Sequence, residues 1–155
     1  MIGYTMEVLT LGDVLNIPLT YGPEMFDRLI SKATRASLEE IGELDAYASA
    51  ALNIALQEQL TTGPKYSVND AETGWDIQLT QPIAGYNEMF VKFPRRKDMY
   101  LPKADAGTFR GAREILARVC RIDGLPRTPR ELDGLALGDV ATIMELLQYR
   151  YHGRE

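Results

Sequence analysis

The sequence predicts an α+β fold that is mostly helical and contains a small antiparallel β-hairpin. Three observations predict this class. Apolar residues recur at helical spacing in four segments, polar and apolar residues alternate after the single tryptophan, and turn-forming Gly-Pro or Asp-Gly pairs separate the segments. We therefore expect four main helices, one short helical turn and the hairpin. A chain of 155 residues with 45% hydrophobic residues can bury a sizeable core.

The N-terminal region, residues 1–62, is predicted to be helical with one short strand. Residues 6–11 form a strand-like apolar run, which we expect as an added strand beside the hairpin. Pro23 then suits the first position of a helix. The apolar side of that helix contains Phe26 and Leu29.

The clearest predicted helix begins at Ser37. Ser37 and Glu40 match a capping box, in which each side chain bonds the backbone N–H of the other residue. Apolar residues then follow helical spacing, and Gly63 and Pro64 end the run. This pattern predicts a single helix over residues 37–60. We interpret it as an amphipathic core helix, and a coiled-coil partner helix is the alternative.

Residues 63–74 are predicted to be a polar linker, because turn-forming residues occur throughout it. Residues 75–155 are then predicted to hold the hairpin and the C-terminal helices. Alternation from Trp75 onward favours an antiparallel hairpin over about residues 75–93, joined by a loop rather than a two-residue turn. We interpret Trp75 as a core anchor. The regions on either side of the linker can also share one domain.

Three further helical segments follow the hairpin. Phe109 opens an amphipathic helix of about 13 residues with apolar residues at helical spacing. Thr128 and Glu131 match a second capping box, which Gly134 limits to a short turn. The last helix is predicted to begin near Asp139.

Asp133 and Asp139 lie in a mostly apolar run and raise the question of a catalytic pair of carboxylates. Asp139 falls in the first turn of the predicted last helix, where a carboxylate is stabilised by the positive end of the helix dipole. Asp133 lies beside Gly134 at the end of the short turn. Because each acid has a local structural role, we interpret both as structural.

Other chemical signatures are missing from the sequence. The chain contains no phosphate-binding glycine loop, no dinucleotide fingerprint, no zinc-protease motif and no nucleophile elbow. Cys120 is interpreted as a small buried hydrophobic residue, and His152 lies too close to the C-terminus for a catalytic role. The sequence therefore predicts a non-enzymatic protein with no cofactor and no metal. A carboxylate-only enzyme is the alternative, with Asp76, Asp98 and Asp133 as its first candidates.

Charge is distributed unevenly along the chain. Residues 1–91 hold 13 acids and 4 bases (net −9), residues 92–130 hold 4 acids and 11 bases (net +7), and residues 131–155 hold 5 acids and 2 bases (net −3). Opposed charges of this kind suit head-to-tail contact between copies. They also suit contact of the basic band, residues 92–130, with an acidic partner or nucleic acid. A solvated face without function is the alternative.

The basic band is the predicted partner-binding region. The side chains expected to bind are Arg95, Arg96, Lys97, Arg110, Arg113, Arg118 and Arg121. Nucleic acid is an alternative partner, because Phe90, Phe93 and Tyr100 are interleaved with cations as in single-strand binders. The acidic balance of the whole chain, with a pI of about 5.0, disfavours that alternative.

From Trp75 onward the order of features resembles the tail assembly proteins of contractile-tailed bacteriophages, of the Mu-like tail assembly chaperone type. The matching features are Ile77, Leu79, Pro82 and Ile83 in I-x-L-x-x-P-I, a basic R-R-K, a helix with I-L-A-R-V-C-R, Gly124-Leu125-Pro126, and an L-D-G-L-x-L-x-D segment from Leu132 to Asp139. The resemblance covers residues 75–152, and residues 1–74 lie outside it.

This resemblance implies a non-enzymatic component of a phage tail or baseplate, such as the tail-tip hub, that acts by protein–protein contacts. A tail assembly chaperone that does not stay in the virion is the alternative. The implied partners are other tail or baseplate proteins and copies of the chain itself, in the virion or in the host cytoplasm during assembly. No apolar run approaches the ~18 residues of a membrane span, and the N-terminal residues lack the basic start of a secretory signal. We therefore expect no membrane contact.

Overall fold

A computed structural model describes residues 4–20 and 22–151 of the chain. These residues form six α-helices, two short 3-10 helices and one five-stranded antiparallel sheet. The fold class is therefore α+β, as the sequence predicts. The predicted hairpin is confirmed, and three further strands extend it into a sheet.

The helices of the described chain occur before and after the main hairpin. They are α1 (Pro23–Thr34), α2 (Leu38–Gly42), α3 (Ala46–Thr61), α4 (Phe109–Val119), α5 (Pro129–Leu132) and α6 (Leu137–Tyr151), with 3-10 helices at Leu11–Asp13 and Arg96–Met99. Both predicted capping boxes are confirmed. Ser37 caps α2 and Thr128 caps α5, each accepting a hydrogen bond from the backbone N–H three residues later.

The prediction of one helix over residues 37–60 is wrong, because two helices occupy this range. The first, α2, ends at Gly42. Asp45 then starts α3, and its carboxylate accepts a hydrogen bond from the Ala48 N–H at 2.8 Å. A continuous apolar periodicity hid this break, since an acidic N-cap inside a helical pattern looks like an ordinary polar helix residue.

The five strands follow chain order across the sheet. They are β1 (Lys65–Val68), β2 (Gly74–Ile83), β3 (Tyr86–Lys92), β4 (Cys120–Ile122) and β5 (Leu125–Pro126). Part of the predicted linker, residues 65–68, is therefore strand β1. It pairs with β2 so that Tyr66 lies opposite Ile77 and Val68 opposite Trp75.

The predicted strand at residues 6–11 is wrong. This segment forms a single β-bridge, from Thr10 to Ala136, and then enters the first 3-10 helix. Its backbone is bonded instead to several different elements. The N–H of Glu7 donates to the carbonyl of Ala33, and the N–H of Leu9 donates to the side chain of Gln59. The segment therefore bridges helices rather than extending the sheet.

The main hairpin closes through a two-residue turn, which corrects the expected longer loop. Ile83 pairs with Tyr86, and Ala84 and Gly85 between them have φ angles of 48° and 82°. Two successive positive φ values are the mark of a type I′ turn, whose twist matches that of the strands. An irregularity in the pairing between Gln78 and Ile83 accommodates Pro82, which cannot donate to a strand ladder.

Cys120 lies outside the helix that was predicted to contain it. The helix α4 ends at Val119, and Cys120 has extended backbone angles as the first residue of β4. Asp123 and Gly124, with φ angles of 52° and 75°, then turn the chain into β5. Cys120 is buried, as the sequence predicts.

One hydrophobic core joins both halves of the described chain. Alternate residues of β2 are buried, and they pack with the apolar sides of α1, α3, α4 and α6. Trp75 is 6% exposed and packs edge-to-face on Phe93, with 4.8 Å between ring centroids. This confirms its predicted role as a core anchor.

The first turn of α6 is attached to β2 through a buried carboxylate. Asp139 accepts hydrogen bonds from the backbone N–H and the hydroxyl of Thr80 at 3.1 and 3.0 Å. Burial raises the pKa of Asp139 above its ordinary value, and hydrogen bonds from Thr80 and the Gln81 N–H offset part of that rise. The acid therefore lies in the first turn of α6, as predicted, and joins this helix to the sheet.

We predict that Asp139→Ala destabilises the fold by about 1–3 kcal/mol, because the Thr80 donors lose their acceptor and α6 loses its first-turn acid. Asp139→Asn should cost less, since one side-chain oxygen remains to accept and no buried charge is required. Urea unfolding followed by circular dichroism measures both values. Equal losses in the two variants would contradict the assigned hydrogen bonds.

We predict that Ala84→Asn stabilises the protein by about 0.5–1 kcal/mol, because alanine is strained at positive φ and Asn-Gly is the preferred sequence of a type I′ turn. Thermal unfolding of the variant and the parent chain measures the change. A lower melting temperature for the variant would count against this turn.

Candidate protein-docking surfaces

The basic segment, residues 92–103, contains the cations Lys92, Arg95, Arg96, Lys97 and Lys103 and a single acid, Asp98. It leaves β3 through Pro94 and forms the second 3-10 helix. The Arg95 N–H donates to the carboxylate of Asp98 at 2.8 Å, which caps this short helix. The local sequence therefore fixes the shape of the segment.

Asp98 is the internal anchor of the basic segment. Asp98 is 4% exposed, and one of its carboxylate oxygens lies 3.5 Å from Lys92 Nζ and 3.4 Å from Arg95 Nε. Burial raises the pKa of Asp98, but the hydrogen bonds from Arg95 and the charge of Lys92 outweigh burial and leave the pKa below its ordinary value. The anchored aspartate is therefore held in its charged form.

Arg118 of α4 fixes the segment from the other side. Its guanidinium donates to the carbonyl oxygen of Asp98 at 2.9 Å and also to that of Tyr100. Arg96 and Lys97 are left exposed, and within the described residues their side chains form no ion pair or hydrogen bond. Tyr100 beside them is 57% exposed. A fixed backbone thus presents two free cations and an aromatic ring to solvent.

The other predicted binding cations lie elsewhere in the fold. Arg110 donates to Asn16 at 2.8 Å, and Arg113 binds the carboxylate of Asp133 at 3.0 Å. Arg121 lies on the open face of the sheet, opposite Phe90 of β3. The structure therefore brings Arg95, Arg96, Lys97 and Arg118 together and separates Arg110, Arg113 and Arg121 from them.

A second candidate surface, the acidic face, lies on α2 and α3. It consists of the exposed acids Glu39, Glu40, Glu43, Asp45 and Glu58 together with the exposed apolar residues Leu38, Tyr47, Ala51 and Ile54. The whole of residues 36–64 contains no lysine or arginine. The residues of this surface therefore combine negative charge with apolar area, and Lys32 and Arg35 line the cavity beside Leu38 and Glu40.

The helix α3 gives the acidic face its apolar part. Its inward side buries Leu52, Leu56 and Leu60. Tyr47 and Ile54 on the outward side are 80% and 61% exposed. Large exposed apolar residues at helical spacing are typical of contact sites.

Sequence reasoning missed this second surface. The available signal was the absence of charge from residue 46 to residue 57, which leaves α3 with apolar residues on both sides. A solvent-facing helix normally carries charges on its outer side. The sequence pattern predicted an inner apolar stripe on this helix, and contact with a partner entered only as the coiled-coil alternative.

Three of the four candidate carboxylates have partners within the fold. Asp98 and Asp139 are buried and hydrogen-bonded, and Asp133 pairs with Arg113. Asp76 is exposed on the open face of the sheet, opposite Phe90. Within residues 4–20 and 22–151, no three His, Cys, Asp or Glu residues are grouped as metal ligands would be.

Of the two residues Cys120 and His152, the structure describes only Cys120. Burial raises the pKa of Cys120 to about 12, which keeps the thiol protonated and unreactive at neutral pH. His152 lies outside the described residues. Cys120 therefore adds no nucleophile to the surfaces described above.

The aromatic residues considered for nucleic-acid stacking do not share a surface. Phe93 packs on Trp75, and the guanidinium of Arg150 lies 3.9 Å from its ring centroid. Phe90 lies on the open face of the sheet, and Tyr100 belongs to the basic segment. A row of exposed rings beside cations, which a single-strand binder uses, is therefore not formed by these three residues.

Comparison of the chain with protein-family models, with curated proteins and with solved structures finds no match. Among the helices of residues 4–20 and 22–151, none combines the length and the apolar character needed to cross a membrane.

We predict that Asp98→Asn destabilises the protein by about 2 kcal/mol at pH 7, because the charge-assisted hydrogen bonds from Arg95 are weakened and the ion pair with Lys92 is lost. The pKa of Asp98 is lower in the folded than in the unfolded chain. Its stabilisation is therefore complete above the unfolded pKa and disappears as pH falls through the folded pKa. Chemical unfolding of both chains from about pH 7 to pH 3 measures the difference, which should shrink below about pH 4. A pH-independent difference would contradict this role.

Proposed function

We propose that this protein is a non-enzymatic component of a bacteriophage tail or baseplate that acts by protein–protein contacts. The phage assignment rests on the resemblance of residues 75–152 to Mu-like tail assembly proteins. The contact mechanism rests on the basic segment. Its partners are other tail or baseplate proteins, and it acts in the virion or in the host cytoplasm during assembly.

The observation that carries the contact mechanism is the placement of Arg96 and Lys97. Asp98 and Arg118 hold the surrounding backbone, so these two cations are presented without the entropy cost of ordering a loop. Charges held in this way favour a complementary acidic surface and speed encounter with it. A single site of this size binds weakly, and repeated sites in an assembly compensate for that weakness.

The carboxylates support a non-enzymatic role. Asp98 and Asp139, the buried acids of the described chain, both have partners that explain their burial. Asp133 is neutralised by Arg113. An acid–base mechanism needs a carboxyl group that faces substrate in a cleft, and these acids face their structural partners instead.

We predict that the double variant Arg96→Glu and Lys97→Glu fails to support tail assembly in a phage or prophage that carries this gene, because the docking surface changes sign. Arg95 stays unchanged, since it caps the 3-10 helix. Complementation of a gene disruption, with electron microscopy of the particles, measures the effect. Normal tails from the variant would overturn the proposed role of this segment.

The matched control is Lys65→Glu with Arg130→Glu, which changes two exposed cations outside the basic segment and gives the same net charge. This control should complement normally. Mass spectrometry of purified virions distinguishes a retained component from an assembly chaperone that leaves before completion. A mobility shift with DNA that weakens steeply with salt would support nucleic-acid binding instead.

A further inference from the structure

The two candidate surfaces have opposite charge. The acidic face belongs to a stretch, residues 36–64, with five acids and no base. The basic segment has five cations, and its single acid, Asp98, is buried and bound to two of them. Each surface therefore presents one sign of charge to solvent. The two surfaces complement each other, and one chain carries both.

Apolar groups accompany the charges on both surfaces. On α3, Tyr47, Ala51, Ile54 and Glu58 follow one another at helical spacing on the side opposite the buried leucines. On the basic segment, Tyr100 is exposed next to Arg96 and Lys97. An interface between them would therefore have apolar contacts at its centre and oppositely charged side chains around it, which is the usual arrangement of a specific interface.

We propose that the acidic face of one copy of this protein docks on the basic segment of a second copy. The inference takes the docking role of the basic segment from the proposed function and names its partner. The contact is heterologous, because two different surfaces meet. A dimer formed in this way still has one free acidic face and one free basic segment. Association therefore continues beyond two copies unless it closes into a ring.

A self-association experiment tests this contact directly. Sedimentation velocity of the purified chain over a range of concentrations should show species larger than the monomer, and these should decrease as salt rises from about 50 mM to 500 mM because exposed charges are screened. The variant R96E/K97E should associate at least about tenfold more weakly than the parent chain. The control K65E/R130E, whose two positions belong to neither surface, has the same net charge and should associate as the parent does.

A mixture of two variants tests the head-to-tail geometry. The second variant, E43K/E58K, reverses the acidic face at two acids whose side chains form no hydrogen bond or ion pair within the described residues. Each variant alone should be largely monomeric. Mixed together, the intact acidic face of the first fits the intact basic segment of the second, so the mixture should contain complexes of the two variants although neither variant associates alone.

Several outcomes would overturn the inference. These are a parent chain that stays monomeric at every concentration, variants that associate as strongly as the parent, and a mixture that contains no complex of the two variants. Circular dichroism spectra that match the parent confirm that each variant is folded. Self-association of R96E/K97E that matches the parent, together with failed tail assembly by the same variant, refutes this inference alone. Normal virions from a phage that lacks the protein, together with self-association of the purified parent chain, refute the proposed function alone.

Discussion

The start of α6 is the contact on which the arrangement of the fold depends. Asp139 binds Thr80 on β2, across 59 residues of sequence. One residue earlier, a Cβ at Gly138 would overlap the carbonyl oxygen of Thr62 at the end of α3. Only glycine allows this approach. Two adjacent residues therefore fix α6 against both the sheet and the helix that carries the acidic face.

Charge in this protein is divided between groups that hold the fold and groups that face solvent. Asp98, Arg113 and Arg118 are bound to partners inside the chain. These ion pairs and hydrogen bonds stabilise the fold, and removing one partner leaves a poorly solvated charge. Within the described residues, the side chains of Arg96, Lys97 and Glu39 of α2 have no such partners, whereas Glu40 accepts the capping-box hydrogen bond from Ser37. The exposed group alone can change sign without a large cost in stability, which makes it suitable for recognition.

Sequence reasoning recovered the features that depend on neighbouring residues. Capping boxes at Ser37 and Thr128, the alternation around Trp75 and the burial of Cys120 each have a local signature. It failed where contacts between residues far apart in the sequence determine the structure. Strand β1 exists because β2 lies beside it, and the binding cations separate because Arg113 finds Asp133 20 residues away. A one-dimensional run of arginines cannot reveal which of them is already paired.

The order of the sheet has a consequence for how the chain folds. Neighbours in the sheet are also neighbours along the sequence, so the pairings from β1 to β3 close short loops and cost little loop entropy. Contacts between β2 and the last helix join residues far apart along the chain. Such long-range contacts form slowly. A growing or refolding chain can thus complete the hairpins first, and α3 packs on α6 only after the last helix of the described chain has formed.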